Sequence, residues 1–136
     1  MTLAQLPCND TTSAIIKAAI AVHRALGPGL LESVYLACLT HELRKTEWTL
    51  EVQPAIPVVY DGVRLDCGFR ADLLVAKTVV VEVKSIAQFA PIHRAQLMTY
   101  VKLTGCPAGL LINFNVPVLK QGITRVVNAT ERREPP

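Results

Sequence analysis

The sequence contains no CxxC pair, and its four cysteines, Cys8, Cys38, Cys67 and Cys106, are scattered over 136 residues. That spacing argues against a zinc site or an iron–sulfur cluster and reads as isolated thiols in a reducing compartment. Also missing is the run of about 20 apolar residues that a membrane span needs. Lys17, His23 and Arg24 interrupt the longest candidate. The first residues lack the basic start and apolar stretch of a signal peptide. There is no internal repeat, low-complexity tract or linker, and no appended recognition helix. The expectation is a soluble, cytoplasmic protein without a membrane partner.

Charge is scarce too, at 18% of residues against 51% hydrophobic. The net charge of +3 permits a polyanionic partner without requiring one, since dedicated nucleic-acid modules are often more basic. The length fits one domain able to bury a core without staples, spanning about 12–128. Met1 to Asp10 reads as a loose arm and Thr130 to Pro136 as a charged, proline-ended tail. A chain this small is compatible with a homodimer.

Apolar residues at Ile15, Ala19, Val22 and Leu26 have the period of an amphipathic helix, with cap candidates at Asp10 to Ser13 and a stop at Gly27-Pro28-Gly29. A second helix is expected over Leu31 to Lys45. Trp48 to Pro54 and Ile56 to Tyr60 read as extended, and Asp61-Gly62 as a hairpin turn leading into Val63 to Cys67. Pro91 suits the first turn of a helix ending before Gly105. GLLINF, Gly109 to Phe114, reads as a buried strand laid parallel to its predecessor by a right-handed crossover. Gln121-Gly122 marks a turn, and Ile123 to Val127 a last strand. The resulting fold class is α/β (α+β), a mixed central sheet flanked by helices.

The most informative stretch is GFRADLLVAKTVVVEVKS, Gly68 to Ser85. Leu73 to Val75 and Val79 to Val83 are strand-forming runs, and Ala76-Lys77-Thr78 is the place to turn. Pairing Val75 with Val79 puts Asp72 opposite Glu82, at a constant sum of paired numbers, and Arg70 opposite Lys84. Facing carboxylates repel each other, so a partner must hold them together. Lys84 projects from the same strand face as Glu82, with Val81 and Val83 on the other. Two acids and a lysine suit a hard divalent cation with an ammonium beside it. A surface hairpin with a Glu82–Lys84 ion pair is the plainer alternative.

Other residues carry chemistry with an ordinary explanation alongside. Glu32 sits near a helix start, where the helix dipole favours a carboxylate by about 0.3–1 kcal/mol. His93, Gln96 and Tyr100 fall at helical steps and form one polar stripe, with Leu97 and Val101 facing elsewhere. Gln96 and Tyr100 offer uncharged donors and acceptors, although Tyr100 is equally a half-buried aromatic and His93 an exposed helix histidine. Arg70, Arg94, His23, Arg24 and Lys102 are phosphate-contact candidates or solvated cations.

Gly29-Leu30-Leu31-Glu32-Ser33-Val34-Tyr35 fits the pattern that names the GxxExxY proteins, which are placed in the PD-(D/E)XK nuclease superfamily. The chain resembles that family from about Ile15 to Val127, including FRADLLV, VVVEVKS, AQLMTY and GLLINFN in order. The resemblance implies a restriction-endonuclease-like PD-(D/E)XK core acting on nucleic acid, most often DNA, with Mg²⁺ or Mn²⁺ and 5′-phosphate products. It implies that Asp72, Glu82 and the main-chain carbonyl of Val83 hold the metal and that Lys84 is the lysine of the acid-x-lysine signature. It further implies that Glu32 is an additional acid reaching the metal directly or through water, and that Gln96 and Tyr100 match a QxxxY motif. Arg70, His93 and Arg94 then become nucleic-acid contacts. Ala71 replaces the signature proline, a backbone feature and not a ligand. Against the nuclease stand a catalytically weak nucleic-acid-binding or partner-binding module of the same fold, and a purely structural domain in which Gly29, Glu32 and Tyr35 shape a helix junction.

Overall fold

A computed structural model describes residues 8–128, so the proposed N-terminal arm before Cys8 and the C-terminal tail lie outside the described residues. Among the described residues, three α-helices, α1 (Asn9–Leu26), α2 (Glu32–Leu43) and α3 (Pro91–Thr104), accompany seven strands. The strands are β1 (Leu50–Val52), β2 (Val58–Tyr60), β3 (Val63–Leu65), β4 (Leu73–Val75), β5 (Val79–Lys84), β6 (Ala108–Asn113) and β7 (Ile123–Val127). Five of them form a mixed sheet in the order β1-β4-β5-β6-β7, and β5 and β6 are its parallel pair. That is the mixed sheet flanked by helices that the sequence implies, with the α3 crossover between the two parallel strands.

Alternation along β5 divides the core. Val79, Val81 and Val83 pack with Ile15, Ala19, Val22, Tyr35, Leu39 and Leu43 from α1 and α2. Val80 packs on the other side with Leu97, Tyr100 and Val101 of α3. A strand covered on both faces must be a nearly continuous apolar run, which is why VVVEV shows no polar alternation except at Glu82. Gly109 lets α3 approach the sheet closely, since a Cβ there would lie 2.7 Å from Val101 Cγ2 and 2.9 Å from Leu97 Cδ1. No helix among the described residues is long and apolar enough to cross a membrane.

Several local expectations need correction. α1 begins at Asn9, so Asn9 and Asp10 belong to the helix and not to an arm, and its cap residue Cys8 makes no side-chain bond to the helix. Leu26 is exposed instead of core-facing, at 40%. The Asp61-Gly62 hairpin forms as read, but β2 and β3 make their own two-stranded sheet outside the main one. Gln121-Gly122 is the end of a 3-10 turn, Leu119–Gly122.

Candidate active site

The β4–β5 hairpin has the register the sequence dictates: Val75 pairs with Val79, Leu74 with Val80 and Leu73 with Val81. One step further, regular pairing gives way to side-chain bonding. The Asp72 amide donates to Glu82 Oε2 at 3.0 Å, and the Val83 amide donates to Asp72 Oδ2 at 2.7 Å. Each carboxylate is thus tied to the backbone of the opposite strand, which locks both side chains onto the α3 face of the sheet.

Glu82 is only 6% exposed and lies in hydrogen-bonding contact with the Asp72 carboxylate. Burial pushes its pKa up from the ordinary 4.5 to about 8, with the negative charge of Asp72 and the bond between the two carboxyl groups adding to the rise. The Asp72 amide and the Lys84 ammonium oppose the rise without cancelling it. The electrostatics describe a pair of oxygens short of positive charge. Two carboxylates meeting in this way fit a hard divalent cation, which would relieve their repulsion.

Lys84 is the last residue of β5 and half-buried, two positions beyond Glu82 and so on the same face. Its carbonyl accepts from the Phe114 amide at 2.9 Å, extending the parallel ladder beyond Asn113. Val83 holds the Asp72 carboxylate through its amide, next to the carbonyl expected to face a metal.

Glu32 does not join the acid pair. It is exposed at the start of α2, and its Oε2 accepts from the Ser85 amide at 3.2 Å. Among the described residues, no group of three or more His, Cys, Asp or Glu side chains is arranged to hold a metal ion. The carboxylate expected to reach a metal directly or through water is thus engaged with the backbone that follows β5.

Arg70 does not oppose Lys84. Its backbone bridges to Ala55 and its guanidinium donates to the Gln53 carbonyl at 3.2 Å, because the ladder with β5 stops at Leu73–Val81 while pairing on the β1 side continues into the loop after β1. The polar stripe on α3 also divides. Tyr100 is 5% exposed and packs with Leu97 and Val101, against the expectation that these faced elsewhere. Its hydroxyl accepts from Gln96 Nε2 at 3.1 Å, and Phe69 meets its ring edge-on at 6.1 Å. Gln96 itself is exposed, as is Arg94. His93 is a cap, with Nδ1 accepting from the Ala90 amide at 2.8 Å, so it is half-buried and held as the tautomer with that nitrogen bare.

Two site-building residues escaped the sequence reading. Ser85 lies inside VEVKS, and Asn113 inside GLLINF. Asn113 is 3% exposed; its Oδ1 accepts from the Ile86 amide at 3.1 Å and its Nδ2 donates to the Ile86 carbonyl at 2.9 Å. A polar residue ending an apolar strand was the available signal, because a buried amide needs partners.

A family model described as the PD-(D/E)XK nuclease superfamily matches residues 9–126. No curated protein and no solved structure gives a significant match.

Proposed function

The chain belongs to the PD-(D/E)XK nuclease superfamily, and from that premise we propose that it is a metal-dependent nuclease of the GxxExxY type that hydrolyses phosphodiester bonds in DNA. The observation carrying this reading is the Asp72–Glu82 pair, half-buried at Asp72 and buried at Glu82, with Lys84 on the same face. A module that only binds phosphate gains nothing from turning two carboxylates toward a polyanion.

Asp72, Glu82 and the Val83 carbonyl would hold Mg²⁺ or Mn²⁺. When bound, such a cation supplies Lewis acidity toward the phosphoryl oxygen and lowers the pKa of water. The chain's own residues do the rest. The Val83 and Asp72 amides keep the two carboxylates from rotating away, so the oxygens are oriented before substrate arrives. Lys84, as an ammonium, orients the attacking water by donating a hydrogen bond to its oxygen and stabilises negative charge developing on the phosphate. Gln96 offers its exposed amide to a water or a phosphate oxygen, anchored by Tyr100 behind it. Arg94 and Arg70 lie exposed, where a nucleic-acid backbone can reach them.

The test is cleavage of linear, circular and single-stranded DNA with Mg²⁺ or Mn²⁺, using Glu82→Ala as the blank. Lys84→Met is expected to abolish cleavage at an unchanged melting temperature; undiminished cleavage eliminates the assignment. Mn²⁺ is expected to raise the melting temperature of the wild type and not of Asp72→Ala.

A further inference from the structure

The acid pair accounts for Glu82 and not for the chain that follows it. β5 ends at Lys84, so Ser85 and Ile86 have left the strand while still carrying backbone groups that need partners. On one side of the strand end, the Ser85 amide donates to Glu32 Oε2 at 3.2 Å, and Ser85 Oγ donates to the Leu30 carbonyl at 2.5 Å. On the other, the Asn113 side chain holds both the amide and the carbonyl of Ile86. The lysine is therefore the last strand residue before a segment gripped from two directions.

The grip on the helical side is itself anchored in the core. Tyr35 has no exposed surface; its hydroxyl donates to the Gly27 carbonyl at 2.5 Å and accepts from the Leu30 amide at 3.1 Å. Its ring stacks on Phe114 with centroids 4.5 Å apart and an 8° interplanar angle. Phe114 in turn supplies the amide that binds the Lys84 carbonyl. Glu32 and Tyr35, two members of one short motif, thus meet the end of β5 by separate routes.

We propose that Glu32 is a positioning residue that acts through Ser85. With the Leu30 carbonyl it forms a latch between the loop before α2 and the exit of β5, and the latch sets where Lys84 stands relative to Asp72 and Glu82. What the latch needs from residue 32 is a hydrogen-bond acceptor at this reach, not a negative charge. A glutamine carbonyl satisfies that need, whereas a metal ligand or a charge acting on a metal would not survive the change. The role given to Lys84 rests on the nuclease reading; the existence of the latch does not.

The experiment compares full-length wild type, Glu32→Gln, Glu32→Ala, Ser85→Thr and Ser85→Ala by amide hydrogen exchange over residues 84–86, Mn²⁺-induced melting shift, and kcat and KM for DNA cleavage. Glu32→Ala and Ser85→Ala are expected to lose exchange protection and to lower kcat by about 10- to 100-fold, the range for residues supporting a site from behind. KM and the Mn²⁺ shift stay as in wild type. Glu32→Gln and Ser85→Thr, which keep the acceptor and the hydroxyl, are expected to restore protection and kcat. The proposal is overturned if Glu32→Gln is as damaging as Glu32→Ala, or if both lose the Mn²⁺ shift, since either result means that the charge matters. If wild type shows neither cleavage nor a Mn²⁺ shift, the nuclease reading fails, and exchange still decides the latch: protection retained in Glu32→Ala overturns it.

Discussion

Two hairpins in this chain both turn through residues at positive φ and end in opposite surroundings. β2–β3 turns at Asp61 and Gly62 and β4–β5 at Ala76 and Lys77, all four residues at positive φ. Both ladders are antiparallel with three residue pairs each. Yet β4 and β5 are almost wholly buried, while Val59, Tyr60 and Val63 are 63%, 72% and 53% exposed. The difference comes from what lies alongside. β5 has β6 as a parallel neighbour and helices over both faces, whereas β2–β3 forms a separate two-stranded sheet. Burial also converts an acid in a hairpin into chemistry: Glu82 has its proton affinity raised, an effect that solvent would screen in the outer hairpin.

The comparison breaks if the two hairpins respond alike to truncation. Leu73→Ala removes a side chain with no exposed surface and is expected to destabilise the fold by about 2–5 kcal/mol. Val59→Ala in the outer hairpin should stay within about 0.5 kcal/mol. Chemical denaturation of the two variants measures both.

A second test sharpens the electrostatic half. Folding raises the Glu82 pKa from 4.5 to about 8, so between those values the metal-free native state keeps a proton that the unfolded chain has released. The stability contributed by this group is then fully present below pH 4.5 and is lost as pH rises through about 8. The melting temperature of EDTA-treated protein should fall across that window, and Glu82→Gln should flatten the fall. A profile equally steep in Glu82→Gln would assign the loss to another group.

A smaller effect than core truncation concerns the inner turn. Ala76 and Lys77 hold φ of 54° and 57° without the glycine that makes such backbone inexpensive. Lys77→Gly is expected to stabilise the protein by about 1 kcal/mol, measured by thermal or denaturant unfolding. Gly62→Ala, at φ 73° in the outer turn, should destabilise by a similar amount.

The inner hairpin was legible from its residues alone. Strand-forming runs around a three-residue turn define a register by counting, and that register carries Asp72 to Glu82. The parallel placement of β6 followed from a right-handed crossover through the intervening helix. Arg70 and Tyr100 were misplaced for one shared reason. Counting along a strand or helix assumes that the element continues and that its face is free, and each of these residues sits where another element intervenes. The loop after β1 pairs with Arg70, and the sheet covers Tyr100.

Local order along the chain was enough to determine the elements, the inner register and the identity of the paired acids, because these depend on periodicity and on residues close in sequence. Tertiary structure alone decided that Glu82 is buried, that Asn113 and Ser85 hold the chain after Lys84, and that Glu32 faces a backbone amide instead of the acids. Those outcomes depend on contacts spanning 27 residues for Asn113 with Ile86 and 53 for Glu32 with Ser85, and no local periodicity encodes which distant donor will meet which acceptor.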